Sequence, residues 1–449
     1  MANGNPERSS STTARTPRPP LTSAAVIENV RASQFVVVDG VLYASRGGTP
    51  NSVVAFDIAS GSALWHFDIP GTKAAVDNVP AVAANLVLCG GQGGAALHAL
   101  DRTTGELVWQ VPTSSLYARN TIIDGTAAYV CSDSILCVEL ADGSTRWRYP
   151  LRAQTTPTVD DAAVYVDGAS QLLALDKVTG QQRWSISARE QAFGHVVVDG
   201  QRLYVSDGMD VRCVDKRDGS VVWTVSLPDL TWISQLATGC FALGEDVLCV
   251  APWEDTTGTT FIVGLDKNSG TQLWRHDFDG PGLFTPTVVG NTVYVVSWED
   301  AILWGFDISS GDVLCHRNDG AYYEQPIAAE GKLFVKDGSA VRVFTESPTH
   351  AADVDAMPGD LSLDVCPNPA FGPVVVTLAT RRRATVSLRV FDVLGRHVGT
   401  LFEGMLPAGT HQFNWSASGS GTADGGTGMY LIAASTAELA STRRLFVVR

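Results

Sequence analysis

An acid, a glycine and a tryptophan recur at fixed steps along this chain, as in ALDKVTGQQRW, where they are Asp176, Gly180 and Trp184. Seven copies align, and successive glycines are 37 to 51 residues apart. The glycines are Gly61, Gly105, Gly143, Gly180, Gly219, Gly270 and Gly311. A period of about 40 residues with a recurring aromatic is typical of architectures in which each repeat packs on its neighbours. This repeat constrains the fold more than any other feature of the sequence.

Each unit contains four short apolar runs that predict β-strands. In the fourth unit these runs cover residues 156–159, 163–167, 172–176 and 183–187. Four antiparallel strands in about 40 residues make one blade of a β-propeller. An eighth unit at 325–344 lacks the triplet and supplies only three runs, and the unpartnered run at 24–30 predicts its missing outer strand. The sequence thus predicts an all-β fold with an eight-bladed β-propeller over residues 24–345.

The triplet itself favours a structural interpretation. Glycine takes a positive φ in the turn before the outer strand, and the acid accepts hydrogen bonds from free amides of that turn. The tryptophan then buries its ring against the neighbouring blade. We therefore predict that six tryptophans dock blade on blade: Trp65, Trp109, Trp147, Trp184, Trp223 and Trp274. Two copies depart from the pattern, with Glu139 for the aspartate in the third and Cys315 for the tryptophan in the seventh.

The unit built from AVYVD and ALDKVTGQQRW resembles the pyrroloquinoline-quinone-type propeller repeat over about 320 residues. That family includes quinoprotein alcohol dehydrogenases and an eight-bladed lipoprotein of outer-membrane assembly. The resemblance implies the fold, and one fold hosts many functions. The quinoprotein dehydrogenases place two adjacent cysteines over their cofactor, whereas this sequence has no adjacent cysteines. We therefore predict no cofactor, neither quinone nor calcium.

A second domain is predicted after a Pro-, Ala- and Asp-rich linker at 346–360. Residues 361–449 contain seven strand runs, which predict a small β-sandwich. The runs cover residues 361–365, 373–379, 384–391, 397–402, 411–415, 429–434 and 443–448. The pieces CPNPA, VFDVLGRHV, LPAGTHQFNW and GMYLI resemble the Ig-like C-terminal sorting domains of type IX secretion and their flagellar-hook-cap-like relatives. The resemblance implies export, with the secretion machinery as partner and attachment to, or release from, the bacterial surface.

Charge is unevenly distributed along the chain. The net charge of −15 divides into +2 for residues 1–23, −21 for 24–365 and +4 for 366–449. The strongly negative middle part disfavours a nucleic-acid partner. Residues 1–23 predict a disordered polar tail without the apolar stretch of a signal peptide, and no apolar run is long enough for a transmembrane helix. We expect a monomer at the cell surface or outside the cell, with the periplasm as the alternative.

Catalytic and metal-binding signatures are not found in the sequence. The eight histidines are scattered, and none has the spacing of metal ligands, so we predict no metal site. The eight cysteines leave two interpretations open. Either Cys240–Cys249 or Cys131–Cys137 forms a disulfide, or the cysteines pack as buried thiols, which their apolar surroundings favour.

The loops that join blades, and those between the second and third strands, are rich in aromatic and charged residues. The candidate binding residues are Tyr117, Arg119, Arg152, Arg189, Phe193, Trp232, Trp253, Glu254, Phe284, Trp298, Glu299, Tyr322 and Tyr323. Aromatic and arginine side chains concentrate binding energy, which favours a non-catalytic protein that binds a protein, peptide or glycan there. The alternatives are aromatics that only fill the channel mouth, a quinoprotein-like oxidoreductase, and a polysaccharide-active enzyme with two carboxylates in the channel mouth.

Overall fold

The structure is a computed structural model of the 449-residue chain. The residues it describes are 11–12, 21–32, 34–47, 50–70, 79–91, 94–113, 119–153, 156–168, 170–188, 193–208, 210–227, 240–252, 259–280, 282–317, 323–346, 361–366, 370, 374–380, 382–407, 409–415, 428–436 and 439–447. Their regular secondary structure is β-strand throughout.

The strands up to Glu346 form antiparallel sheets of four, numbered here along the chain. Sheet 1 comprises Gln34–Val38, Val41–Arg46, Asn51–Asp57 and Ala63–Ile69. Sheet 2 comprises Ala81–Val82, Leu86–Gly91, Gly94–Asp101 and Leu107–Pro112. Sheet 3 comprises Arg119–Asp124, Ala127–Cys131, Ile135–Glu139 and Thr145–Tyr149. Sheet 4 comprises Thr158–Val159, Ala163–Asp167, Gln171–Asp176 and Gln182–Ser187, so the four predicted runs are confirmed.

Sheets 5 to 8 repeat this order. Sheet 5 comprises Phe193–Asp199, Arg202–Asp207, Asp210–Asp215 and Val221–Ser226. Sheet 6 comprises Phe241–Leu243, Val247–Val250, Thr259–Asp266 and Gln272–Asp279. Sheet 7 comprises Thr287–Val289, Thr292–Val296, Leu303–Asp307 and Val313–Arg317. Sheet 8 comprises Tyr323–Ala329, Lys332–Asp337, Ala340–Glu346 and the N-terminal strand Leu21–Ile27.

The sheets are arranged as a β-propeller. We call the first strand of each sheet its inner strand and the fourth its outer strand. Inner strands of successive sheets lie side by side, and the inner strand of sheet 8 lies beside those of both sheet 7 and sheet 1. The apolar side chains between neighbouring sheets are buried, which places one core cluster at each junction.

Sheet 8 is completed from the other end of the chain. Leu21–Ile27 pairs antiparallel with Ala340–Glu346, and Ile27 lies opposite Val341. The predicted closing strand is confirmed, although it begins at Leu21 instead of residue 24. A further short strand, Ser11–Thr12, pairs in parallel with the inner strand of sheet 7. The sequence predicts a disordered tail at both places, so this prediction is wrong for Ser11–Thr12 and for Leu21–Ser23.

The triplet forms a tight turn before each outer strand. All seven triplet glycines have φ between 68° and 78°, where a residue with a Cβ is strained. In sheet 4 the carboxylate of Asp176 accepts the backbone N–H of Val178 at 3.1 Å and of Thr179 at 2.9 Å. Hydrogen bonds from Thr179 and Arg183 lower the pKa of Asp176 to about 2. The carboxylate is therefore ionised at neutral pH and holds the turn closed.

Tryptophan and glycine from neighbouring sheets meet in what we call the indole–glycine contact. Trp184 lies on Gly219 of sheet 5, where an added Cβ would come within 2.9 Å of the indole. The Trp184 Nε1–H also donates to the Lys216 carbonyl at 2.9 Å. The other pairs are Trp65 with Gly105, Trp109 with Gly143, Trp147 with Gly180, Trp223 with Gly270 and Trp274 with Gly311. Glycine is thus required both for its φ and for the close approach of the indole.

Both junctions of sheet 8 lack this contact. On one side Cys315 replaces the tryptophan, and on the other an added Cβ at Gly61 would meet nothing within 4 Å. The outer strand that faces Gly61 is Leu21–Ile27, which contains no tryptophan. Between sheets 8 and 1 the Glu330 carboxylate instead accepts the Gly40 N–H at 3.0 and 3.1 Å.

Ion pairs form a second set of contacts between sheets. The residue after the triplet aspartate is a cation in four sheets, and it reaches a carboxylate of the preceding sheet. Lys216 Nζ lies 2.9 Å from the Asp160 carboxylate, and the Arg102 guanidinium lies 2.9 Å from Asp39. The corresponding pairs elsewhere are Lys177 with Asp124 and Lys267 with Asp199. Four cations of the propeller are therefore used in contacts between its own sheets.

Two further sheets follow residue 360. One comprises Leu361–Cys366, Val374–Thr380 and Gly409–Trp415, and the other comprises His397–Leu406, Ala384–Asp392, Gly428–Ser435 and Ala440–Val447. All seven predicted strand runs are confirmed. Both sheets contribute side chains to one buried core, including Leu378 and Trp415 from the first and Leu388 and Ile432 from the second.

Candidate functional site

Antiparallel strands divide the propeller into two faces. Because the four strands of a sheet alternate in direction, the loops between second and third strands lie at the same end as the connections from one sheet to the next. We call this end the loop face. The triplet turns and the hairpins between first and second strands lie at the other end, the turn face.

The best described part of the loop face is the loop Ser297–Ile302 of sheet 7. The Ser297 N–H donates to the Ile302 carbonyl at 3.0 Å, and the Trp298 N–H donates to the Gly282 carbonyl at 3.0 Å. Ala301 adopts a φ of 50°, a left-handed conformation that is unusual for alanine. The connection between sheets 6 and 7 is thus bonded to this loop and holds it in one conformation.

The tip of this loop presents an aromatic ring beside two acids. Trp298 is half-buried, whereas Glu299 and Asp300 are exposed. The Glu299 carboxylate packs against Gly280, where an added Cβ would lie 2.9 Å from it. Within the described residues neither carboxylate takes part in an ion pair. Among the described residues the loop therefore carries two acids without an ion-pair partner, beside a half-buried indole.

The other predicted binding residues divide into three groups. Arg152 is exposed on the connection between sheets 3 and 4, and Phe284 is half-buried on the connection between sheets 6 and 7. Arg119 and Phe193 each begin an inner strand, and the structure describes only their backbone. The remaining ones lie outside the described residues: Tyr117, Arg189, Trp232, Trp253, Glu254 and Tyr322.

Tyr323 does not belong to the loop face. Its side chain is fully buried, and its ring packs edge-on against Phe344 with centroids 6.1 Å apart. Tyr323 is the first residue of the inner strand of sheet 8, where the alternation of the strand directs it into the core. The prediction of an exposed binding residue is therefore wrong here.

The sequence analysis missed two ion pairs beside the loop face. Asp207 pairs with Arg212 in sheet 5, and Asp337 pairs with Arg342 in sheet 8. In the first pair the Asp207 side chain is fully buried, and only 6% of the Arg212 side chain is exposed. A recurring Asp-Gly-x-x-Val-Arg pattern could have revealed both pairs. Removal of one partner of a buried pair leaves an uncompensated charge, so the Asp207–Arg212 pair fixes the hairpin of sheet 5 that ends at this face.

Seven of the eight cysteines are buried thiols, and for Cys366 the structure describes only the backbone. Burial raises the pKa of the Cys89 thiol to about 12, which keeps it protonated. Cys249 lies opposite Ala242, and the Ala251 N–H donates to the Cys240 carbonyl, so these two cysteines are thiols, as the favoured interpretation has it, and the disulfide alternative is not found. Cys131 and Cys137 are likewise thiols.

The described residues do not fit a quinone cofactor of the kind that quinoprotein dehydrogenases hold beneath two adjacent cysteines. The chain has no adjacent cysteines, and its described thiols lie in the cores of the sheets. Across the described residues we find no cluster of three His, Cys, Asp or Glu side chains that could hold a metal ion. A helix long and apolar enough to cross a membrane is likewise not found among them.

A family model decides the relationship of the propeller. The model described as outer membrane protein assembly factor BamB matches residues 21–158, 131–209 and 207–344, well over half of the chain. The chain belongs to this family. The matched segment begins at Leu21, with the closing strand, and ends at residue 344, two residues before the end of the strand Ala340–Glu346.

Two curated proteins have related sequences. A serine/threonine-protein kinase, AfsK, from Streptomyces coelicolor is 30% identical over 168 residues, which are 37% of this chain and 19% of the kinase. A tetrathionate hydrolase from Acidithiobacillus ferrooxidans is 23% identical over 291 residues, which are 56% of this chain and 54% of the hydrolase. The chain thus spans about a fifth and about half of the lengths of these relatives.

Solved structures show the same fold. BamB from Moraxella catarrhalis superposes with a TM-score of 0.59 at 19% identity, covering 74% of this chain and 99% of BamB. Quinohemoprotein alcohol dehydrogenase from Comamonas testosteroni superposes with a TM-score of 0.62 at 13% identity, covering 83% of this chain and 82% of that enzyme. At these identities the similarity extends to the fold alone, because one propeller scaffold serves unrelated functions.

Proposed function

We propose that this chain is an exported, non-catalytic propeller that binds a protein, peptide or polymer through its loop face. The observation that carries the proposal is that the structural residues of the repeat and the residues of the loop Ser297–Ile302 are different sets. The triplet residues are used in turns and in contacts between sheets, whereas Trp298, Glu299 and Asp300 lie outside the repeat and point to the loop face. An aromatic ring with adjacent charges on a held loop is suited to recognition.

The proposal includes a propeller of eight blades over residues 24–345. The side-by-side inner strands and the pairing of Leu21–Ile27 with Ala340–Glu346 support it. The alternative is an enzyme, because a tetrathionate hydrolase and a quinohemoprotein alcohol dehydrogenase are among the similar proteins. Dye reduction upon addition of pyrroloquinoline quinone, calcium and an alcohol would favour the oxidoreductase over our proposal.

Recognition at the loop face can be tested with a random peptide library displayed on phage and selected on the purified protein. We expect Glu299→Lys to weaken binding of the selected peptides about tenfold or more, because it reverses a charge at the site. The matched control is Glu245→Lys, which reverses an exposed acid in a hairpin of the turn face and should change binding less than about twofold. A library that yields no binders, or binders equally sensitive to both changes, would contradict the proposal.

We further propose that the two sheets after residue 360 form an Ig-like sorting domain, joined to the propeller by the linker at 346–360. Their shared core and the change of net charge from −21 to +4 support a separate unit. In a host with type IX secretion, and with a signal peptide supplied, removal of residues 361–449 should leave the protein in the periplasm. Protease treatment of intact cells measures this, and a truncated protein that still reaches the surface would exclude sorting.

A further inference from the structure

The N-terminal segment makes a contact that the propeller repeat does not require. Ser11 and Thr12 pair in parallel with Val288 and Val289 on the inner strand of sheet 7. The pair also lies beside the inner strand of sheet 8. Because this edge of sheet 7 faces the channel, its backbone groups are available to any extended chain that enters.

The pairing has a defined direction. The inner strand of sheet 7 runs from the loop face towards the turn face, and a parallel partner runs the same way. A segment paired there therefore enters beside the loop Ser297–Ile302, where Glu299 and Asp300 are exposed. The side chains of Val288 and Val289 are buried, so the inner strand offers mainly its backbone.

Charge favours the N-terminal segment as the occupant. Residues 1–23 carry three arginines and one glutamate, whereas residues 24–365 carry a net charge of −21. A positively charged segment is attracted to a part of the chain with this net charge, and the attraction is strongest where acids are not already paired. Backbone pairing and charge thus act on the same segment.

We propose that residues 5–18 are an intramolecular ligand of the channel edge of sheet 7, which an external extended, cationic polypeptide must displace. This inference rests on the proposed recognition function and names its ligand class. Strand addition recognises the backbone of the ligand, and the acidic loop recognises its positive charge. The tail thereby sets a threshold for binding, because a tethered occupant competes at a high effective concentration.

The test uses a fluorescein-labelled peptide of residues 5–18, NPERSSSTTARTPR, and fluorescence anisotropy at low salt. We expect it to bind a variant that lacks residues 1–20 and keeps the closing strand. The full-length protein should bind it about tenfold more weakly or worse, since its own tail occupies the edge. Equal affinity of the two proteins for the peptide would overturn the proposal.

Two controls separate backbone pairing from general charge attraction. A peptide with Ser11→Pro and Thr12→Pro keeps every charge but loses two N–H donors, and it should bind about tenfold more weakly. In the truncated protein, Glu299→Lys should weaken the unmodified peptide about fivefold, and Glu245→Lys should change it less than about twofold. If the proline peptide bound as well as the original, strand addition would be excluded. If library peptides bound the loop face and the tail peptide did not, this inference would fail while the proposed function stood.

Discussion

Replacement of Trp184 by alanine is expected to lower the free energy of unfolding by about 3–5 kcal/mol, the range for buried large aromatic residues. The change removes an indole that covers Gly219, packs on Tyr165 with ring centroids 6.0 Å apart, and donates to the Lys216 carbonyl. It leaves the turn of sheet 5 open to water. Chemical denaturation followed by tryptophan fluorescence and circular dichroism measures the loss.

Matched changes on glycine isolate the indole contribution. Gly219 and Gly61 have similar φ values of 78° and 68°, but only Gly219 lies under an indole. Gly61→Ala should cost about 1–2 kcal/mol for the left-handed conformation alone. Gly219→Ala should cost clearly more, because its Cβ would lie 2.9 Å from the Trp184 ring. Equal costs for the two alanines, or a Trp184→Ala protein as stable as the parent, would show that the contact does not hold the sheets together.

Deletion of residues 1–32 is expected to have the second large effect. It removes the outer strand of sheet 8 and buried Ile27 and Val30, whose loss from the core costs about 3–6 kcal/mol before any backbone bond is counted. It also exposes the edge of Ala340–Glu346, an unpaired strand that promotes association. A lower melting temperature and concentration-dependent aggregation should both appear.

The control deletion removes residues 1–20 and leaves Leu21–Ile27 in place. The Leu21 carbonyl still accepts a hydrogen bond from Arg317 at 3.0 Å, and of the contacts that the structure describes, the deletion removes the two-residue pairing of Ser11–Thr12. The melting temperature should therefore shift by no more than about 2 °C. The assignment of Leu21–Ile27 as a closing strand would be refuted if the two deletions had equal melting temperatures.

The sequence carried most of the fold because the repeat encodes its own contacts. In sheets 2 to 7 the triplet glycine with positive φ is covered by the indole of the preceding sheet, and in sheets 1 to 6 the tryptophan four residues later covers the glycine of the next sheet. The pattern therefore reveals both the turn and the packing. Ser11–Thr12 could not be predicted, because a polar segment has no apolar alternation from which a strand could be recognised.

The candidate site was less predictable, for reasons of register. A shift of one residue at a strand end reverses the direction of a side chain, and Tyr323 turns into the core for that reason. In sheet 6 the hairpin places Leu243 opposite Leu248, whereas the alternative of a Cys240–Cys249 disulfide required a turn one residue earlier. Trp298 and Glu299 were predictable as loop residues. The hydrogen bond that holds their loop was not, because the Trp298 N–H donates to the carbonyl of Gly282 on the neighbouring connection.

The closing strand has a consequence for the order in which the molecule is made. Ile27 leaves the ribosome early, yet its partner Val341 follows more than 300 residues later. Until then the first strand has nothing to pair with, and the growing array of sheets keeps an open end. Completion of the ring is thus delayed until nearly the whole propeller has been synthesised, which leaves a long interval in which both end sheets are unclosed.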